Sequence, residues 1–261
     1  MRVRVRFAKF GSARFLGHLD IMRYFQKVFR RAGLPLAFSE GYHPHPILSF
    51  AQPLSLSYTS GGEYFDMELR EPVDADRIYR SLNDACCEDV RVNRVTILPD
   101  YKPNEKKITG MALITGAAYA ISLRQMPNDM AEVLRRFASE TSYTVQKTTK
   151  NGTRDCDLRA GVHGLGLLRN GKVERIFDDG TYVFTDEDMI ASAEYADFLN
   201  DSAILVYLDA GSEQNISAEV FLQGILSYSG RTEEKPERTV HRMDLFGDSE
   251  EKKVPLWMIE S

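Results

Sequence analysis

Residues 2–9 alternate strictly, with Val3, Val5 and Phe7 on one side and Arg2, Arg4 and Arg6 on the other. A period of two predicts a half-buried strand from Arg2 to Lys9 whose arginines face outward. The period then lengthens. Leu19, Met22, Phe25, Val28, Phe29 and Ala32 recur at helical spacing from His18 to Ala32, and Gly33-Leu34-Pro35 supplies the stop. Leu36 to Ser39 and Ile47 to Phe50 read as extended, separated by a loop over Gly41 to Pro46. A strand follows Gly61-Gly62 over Glu63 to Arg70, with Phe65, Met67 and Leu69 alternating with Tyr64, Asp66 and Glu68. Asp74 to Cys86 reads as a helix with Ile78 and Leu82 inward, and Val90 to Leu98 as the closing strand.

The polar stretch after Pro99, punctuated by Pro103 and Gly110, predicts a linker over residues 101–110. Beyond it the pattern restarts. Ala117 to Leu123 is strand-like and Asn128 to Thr141 helical, with Met130, Val133, Leu134 and Phe137 inward. Tyr143 to Thr149, Arg154 to Val162, Ala203 to Leu208 and Thr239 to Phe246 read as strands, and Ala218 to Tyr228 as a helix. Residues 164–199 read as an insertion, part hairpin around Asn170-Gly171 and Asp179-Gly180 and part short helix begun by Asp186-Glu187-Asp188. The expected fold is α+β, two tandem ferredoxin-like βαββαβ domains: residues 1–100 and 111–246, with a flexible tail over 247–261.

The net charge of -5 hides an asymmetry. Residues 1–50 hold nine Arg and Lys against two acidic residues, a net +7, which leaves -12 for the other 211. A basic region on an acidic body predicts a local anionic partner rather than general polycation behaviour. Three cysteines, two of them adjacent (Cys86 and Cys87) and one distant (Cys156), have neither disulfide-framework nor zinc-site spacing, which predicts a reducing compartment; Cys86 and Cys87 read as structural, at a helix end. With no apolar signal region and no run of about 18 apolar residues, the expected setting is the cytoplasm, with no membrane contact.

Candidate chemistry concentrates between Arg14 and Phe50, which contains three of the five histidines. In Gly41-Tyr42-His43-Pro44-His45-Pro46 the prolines fix φ and remove donors, so His43 and His45 project from a stiff loop. Ser39, Glu40 and Gly41 before it add an acceptor, donors and close backbone access, suited to a phosphate or a base edge; the plain alternative is a rigid connector. His18 and Asp20 open the first helix, where His18 is either an acid–base group, with Arg23 stabilising developing charge, or a helix cap. Arg23, Lys27, Arg30 and Arg31 lie along one edge of that helix and, with the strand arginines, predict a phosphate-binding surface. Tyr24, Phe38 and Tyr42 are stacking candidates beside it. His18, His43, His45 and Glu63 are ligand types that would suit a first-row metal, without diagnostic spacing. Asp155, Asp157 and Arg159 alternate along one strand and are read first as an interdomain polar contact.

Four stretches carry a family likeness: RVRFAKFGSARFLGHLD (Arg4 to Asp20), RRAGLPLAFSEGYHPHPILSFAQPL (Arg30 to Leu54), GGEYFDMEL (Gly61 to Leu69) and, more loosely, RDCDLRAGV (Arg154 to Val162). In these the chain resembles the radical-SAM-linked domain of unknown function, whose members occur beside or fused behind cobalamin-binding radical SAM proteins. The resemblance implies an accessory or substrate-recognition module for a radical SAM enzyme, acting on RNA or another anionic substrate and without catalysis of its own. The chain has no CxxxCxxC, so the iron–sulfur cluster and S-adenosylmethionine are expected in the partner, with no cofactor here. A more distant likeness of architecture is to the RAMP proteins, including the CRISPR repeat-processing endonucleases. It implies the alternative of a metal-independent endoribonuclease using His18 or His45, and the ligand-type cluster leaves a metal-binding module as a third reading. The substrate-binding set expected is His18, Arg23, Lys27, Arg30, Arg31, Ser39, Glu40, Gly41, Tyr42, His43, His45 and Glu63.

Overall fold

The computed structural model describes residues 1–101, 108–149, 152–196, 202–212, 214–232 and 234–260. It is a mixed α+β protein built on one large, mostly antiparallel sheet with five helices. The first half runs β1 (Arg2–Lys9), α1 (His18–Ala32), β2 (Leu48–Phe50), β3 (Thr59–Glu68), α2 (Ala75–Ala85) and β4 (Val90–Leu98). The second runs β5 (Ile114–Leu123), α3 (Met130–Ser139), β6 (Thr144–Thr149), β7 (Gly152–Asp157), β8 (Val162–Arg169), β9 (Lys172–Asp178), α4 (Asp186–Ala193), β10 (Ala203–Asp209), α5 (Ala218–Tyr228), β11 (Arg238–Ser249) and β12 (Lys252–Pro255).

Helical and strand periods were legible because each helix buries one stripe. α1 presents Ile21, Phe25, Val28 and Phe29 to the sheet, and α2 presents Ile78 and Leu82. Phe7, Phe25, Phe29, Phe50 and Phe65 form a ring cluster there; Phe25 lies 4.8 Å from both Phe7 and Phe65. Each such buried ring contributes roughly 1.5–3 kcal/mol. α1 stops where Gly33 takes φ +63, a left-handed cap that glycine adopts without steric cost. α2 starts where Asp74 accepts hydrogen bonds from the amides of Asp76 and Arg77.

The main sheet has the order β4-β1-β3-β11-β5-β10-β8-β9. One edge of β3 is shared. Residues 65–67 pair antiparallel with β2, whereas Thr59 and Ser60 pair in parallel with His241 and Arg242 of β11. This short parallel step is the join between the halves, and the sheet runs through it unbroken.

Three expectations differ from the structure. Within residues 164–199 the expected hairpin at Asn170-Gly171 and the short helix from Asp186 are present, but β8 of that hairpin also pairs with β10 and belongs to the main sheet; residues 197–199 lie outside the described residues, as do 102–107 of the linker. The strand expected over Arg154 to Val162 is divided, because the Asp157 carboxylate accepts from the amides of Arg159 and Ala160 and turns the chain. β7 therefore pairs with β6 in a separate hairpin. Residues 247–260, expected as a flexible tail, finish β11, form β12 and end in a 3-10 turn, Leu256–Met258. Leu256 is fully buried, and Trp257 lies under the Arg94 guanidinium at 3.8 Å.

Candidate functional site

β1 delivers Lys9 to the base of a small cleft beneath the start of α1. The intervening turn, Gly11–Phe15, is held by Asp89, whose carboxylate accepts from the Ser12 amide at 2.9 Å and from the Ser12 hydroxyl. Phe7, Lys9, His18, Gln52, Glu63 and Tyr64 are among the residues that line the cleft. Its enclosed volume, about 20 Å³, has room for one water-sized group.

Lys9 is 3% exposed, and its ammonium donates to the Leu16 carbonyl at 2.8 Å. Burial pushes its pKa down; Glu63 opposes this and Arg242 adds to it. Glu63 is itself gripped by Arg242, with Nε donating to Oε1 at 2.8 Å and the second nitrogen donating to Oε2. Arg242 also donates to the Gln52 carbonyl at 2.8 Å. Burial works against this guanidinium, but Glu63 and Tyr119 hold its pKa above the usual value. The His18 ring meets the Phe50 ring edge-on at 5.9 Å. The N-cap of α1 is Gly17, not His18, and it provides no side-chain cap.

The arginines of β1 do not face solvent. Arg4 is buried, with Nε and a terminal nitrogen on the two Asp66 oxygens at 2.8 and 3.0 Å, and it donates to the carbonyls of Leu256 and Ile259. Arg6 pairs with buried Asp244 at 2.9 Å; burial works against its charge, but Asp244 raises its pKa. Arg2 donates to the Pro99 carbonyl and lies over the Tyr101 ring. These charges are internal ties, so the phosphate surface expected of β1 reduces to α1.

On α1, Arg23, Lys27, Arg30 and Arg31 are exposed. Arg23 stands 3.7 Å from Asp20, Arg31 donates to the Ala85 carbonyl, and Lys27 and Arg30 make no hydrogen bond or ion pair among the described residues. Tyr24 is not a free stacking platform: its hydroxyl accepts from the Cys87 amide at 2.8 Å and meets Cys87 Sγ at 3.4 Å. Phe38 is half exposed and Tyr42 fully exposed.

The His-Pro loop is clasped at its neck. Ser39 N donates to the His45 carbonyl at 2.8 Å, His45 N donates to Ser39 Oγ at 3.1 Å, and Ser39 Oγ lies 2.9 Å from His45 Nδ1. Glu40, Gly41, Tyr42 and His43 stand out from it. None of these loop residues is among those lining the cleft that holds His18 and Glu63. Among the described residues no three His, Cys, Asp or Glu side chains gather as a metal set.

Asp157 and Arg159 act within the second half. Asp157 accepts from Ser142 Oγ and three amides, and Arg159 donates to the carbonyls of Ala138 and Val162 and lies over Phe177.

Sequence reasoning missed two clusters. At the β3–β11 join, Tyr64 donates to Asp244 at 2.6 Å, and His241 lies 2.8 Å from Thr59 Oγ1 and 3.2 Å from Ser192 Oγ. The Ser192 proton goes to the Met243 carbonyl, so Ser192 accepts from His241 Nε2. Burial drives the His241 pKa down to about 3, which keeps the ring neutral. The second cluster is His163, with Nδ1 2.8 Å from Asp179 and Nε2 2.9 Å from Asp209. Burial disfavours its charge, but the bonds to Asp209 and Asp179 outweigh that and raise its pKa. Neither cluster has a local motif; each is assembled from strands distant in sequence.

A family model described as an uncharacterized protein conserved in bacteria (DUF2344) matches residues 2–218. The chain belongs to this family. The DUF2344 match covers the cleft residues, the basic helix, the His-Pro loop and His163, and ends before β11 supplies Arg242. No curated protein matches the chain. No helix among the described residues is long and apolar enough to cross a membrane.

Proposed function

We propose that this DUF2344 protein is a recognition module for an anionic substrate, RNA foremost, that works beside a radical SAM enzyme and leaves the chemistry to it. The observation that carries the reading is α1, which holds four exposed cations along one helix while the four cations of β1 are tied internally. Phosphates contacted this way position a strand without reading it. The radical SAM partner comes from the resemblance carried by Arg4 to Asp20 and Arg30 to Leu54, and it would supply the iron–sulfur cluster and S-adenosylmethionine in the cytoplasm. Two ferredoxin-like units are part of the proposal, supported by the repeated strand orders β4-β1-β3-β2 and β11-β5-β10-β8.

Fluorescence anisotropy with single-stranded RNA over a salt series tests it. Affinity falls steeply with salt, and Arg23→Ala/Lys27→Ala weakens binding and flattens the salt slope by about 2. Unchanged affinity in that double variant overturns the reading. A second reading, endoribonuclease, draws on His18 and Lys9 sharing one cleft. It requires cleavage in chelator that disappears in His18→Ala.

A further inference from the structure

We propose that the cleft beneath α1 is a subsite for a phosphate monoester, and that it takes the terminal phosphate of a bound strand. The inference rests on the recognition reading above and names the group recognised. Three features of the cleft define its ligand. First, the buried Lys9 ammonium has three N–H donors and directs one to Leu16, leaving two without an acceptor among the described residues. Second, Gln52 Oε1 is buried in the same lining with no hydrogen-bond partner among the described residues, while its amide nitrogen donates to Asn215. Third, α1 is 15 residues long and begins beside the cleft at His18 with no side-chain cap, and among the described residues the amides of His18 and Leu19 have no backbone acceptor.

The ligand must therefore bring oxygens for Lys9 and the helix start, and a proton for Gln52. The ionic balance sets its charge. Lys9 and Arg242 against Glu63 leave one net positive charge in the buried group, which a monoanion neutralises. A phosphate monoester in its singly protonated form meets every condition, since its second ionisation falls near about 6. An internal phosphodiester has no proton to give and is flanked by ester groups on both sides. An ionised carboxylate has no donor either. The enclosed volume has room for one water-sized group, so a single P–OH oxygen enters, the rest of the head group stays at the mouth beside the helix start, and a base is excluded.

The test compares one RNA sequence bearing a 5′-phosphate, a 3′-phosphate or hydroxyl ends, with the full chain in anisotropy. One phosphorylated end is expected to bind about tenfold more tightly than the hydroxyl form, the scale of one charge-assisted hydrogen bond. The advantage should be larger at pH 6 than at pH 8 and absent in Gln52→Glu and Lys9→Met, with their folding checked by circular dichroism. Equal affinity of wild type for all three ends overturns the subsite and leaves RNA recognition standing. If no RNA binds, thermal shift separates the two ideas without relying on a variant that fails to fold. Stabilisation of wild type by methyl phosphate and not by dimethyl phosphate or acetate supports the subsite and overturns RNA as its source; no shift with any of the three overturns the subsite.

Discussion

Replacing His163 by glutamine gives a stability change that depends on pH in a defined direction. The ring joins β8 to the carboxylates of Asp179, just after β9, and Asp209, at the end of β10, and its side chain is 18% exposed. A hydrogen bond to a charged group contributes about 1.5–3 kcal/mol. Partial exposure of all three groups and the cost of burying the ring reduce the pair to about 2 kcal/mol in total. Because the folded pKa is raised, this stabilisation is fully present below the unfolded value of about 6.5 and is lost as pH rises through the folded value. Above that point the neutral ring has one N–H for two carboxylates. Urea denaturation of wild type and His163→Gln at intervals from pH 5.5 to 9 measures the difference. The gap should be about 2 kcal/mol at the acid end, a melting shift of roughly 4–8 °C, and should fall below about 1 kcal/mol at the alkaline end. A gap that stays constant or widens with pH refutes the imidazolium bridge.

Other perturbations address the join between the halves. Arg242→Met strands the buried Glu63 carboxylate and should cost about 3–5 kcal/mol in chemical denaturation, whereas Arg242→Met/Glu63→Leu should recover most of it. Tyr64→Phe removes a donor from buried Asp244 and should cost about 1–3 kcal/mol by the same measurement. Gly62→Ala places a methyl 2.8 Å from the Met243 carbonyl and 2.6 Å from Asp244 Oδ1; a melting point lowered by several degrees is expected, at about 1–3 kcal/mol of overpacking.

The sequence was most informative where an element buries one side only. His18–Ala32, Ala218–Tyr228 and Val90–Leu98 have the expected bounds because a single apolar stripe marks them; Arg2–Lys9 also has them, from its alternation, although it is buried on both faces. Alternation shows which residues share a face, but not whether that face meets water. Hence Arg2, Arg4 and Arg6 were grouped correctly and placed on the wrong side of the solvent boundary. β11 is buried on both faces from Val240 to Gly247, so it has no apolar–polar alternation to betray the partners of His241, Arg242 and Asp244. The cleft shows the same limit: His18 and Glu63 stood out by residue type, while Lys9 and Gln52 acquire meaning only when β1 and the segment after β2 meet below α1.

The late position of β11 has a consequence for how the chain is made. Thr59 of β3 waits for His241, 182 residues downstream. At 5–20 residues per second that interval is roughly 10–40 s on the ribosome. For the part of it after Leu98 is made, the nascent first half can pair β4, β1, β3 and β2, with the Thr59 end of β3 still open and Arg6 and Glu63 still lacking Asp244 and Arg242. Charges beside an open strand edge discourage pairing with other chains. The groups buried at the finished join thus act first as gatekeepers of the unfinished protein, keeping one nascent chain from adding its edge to the next.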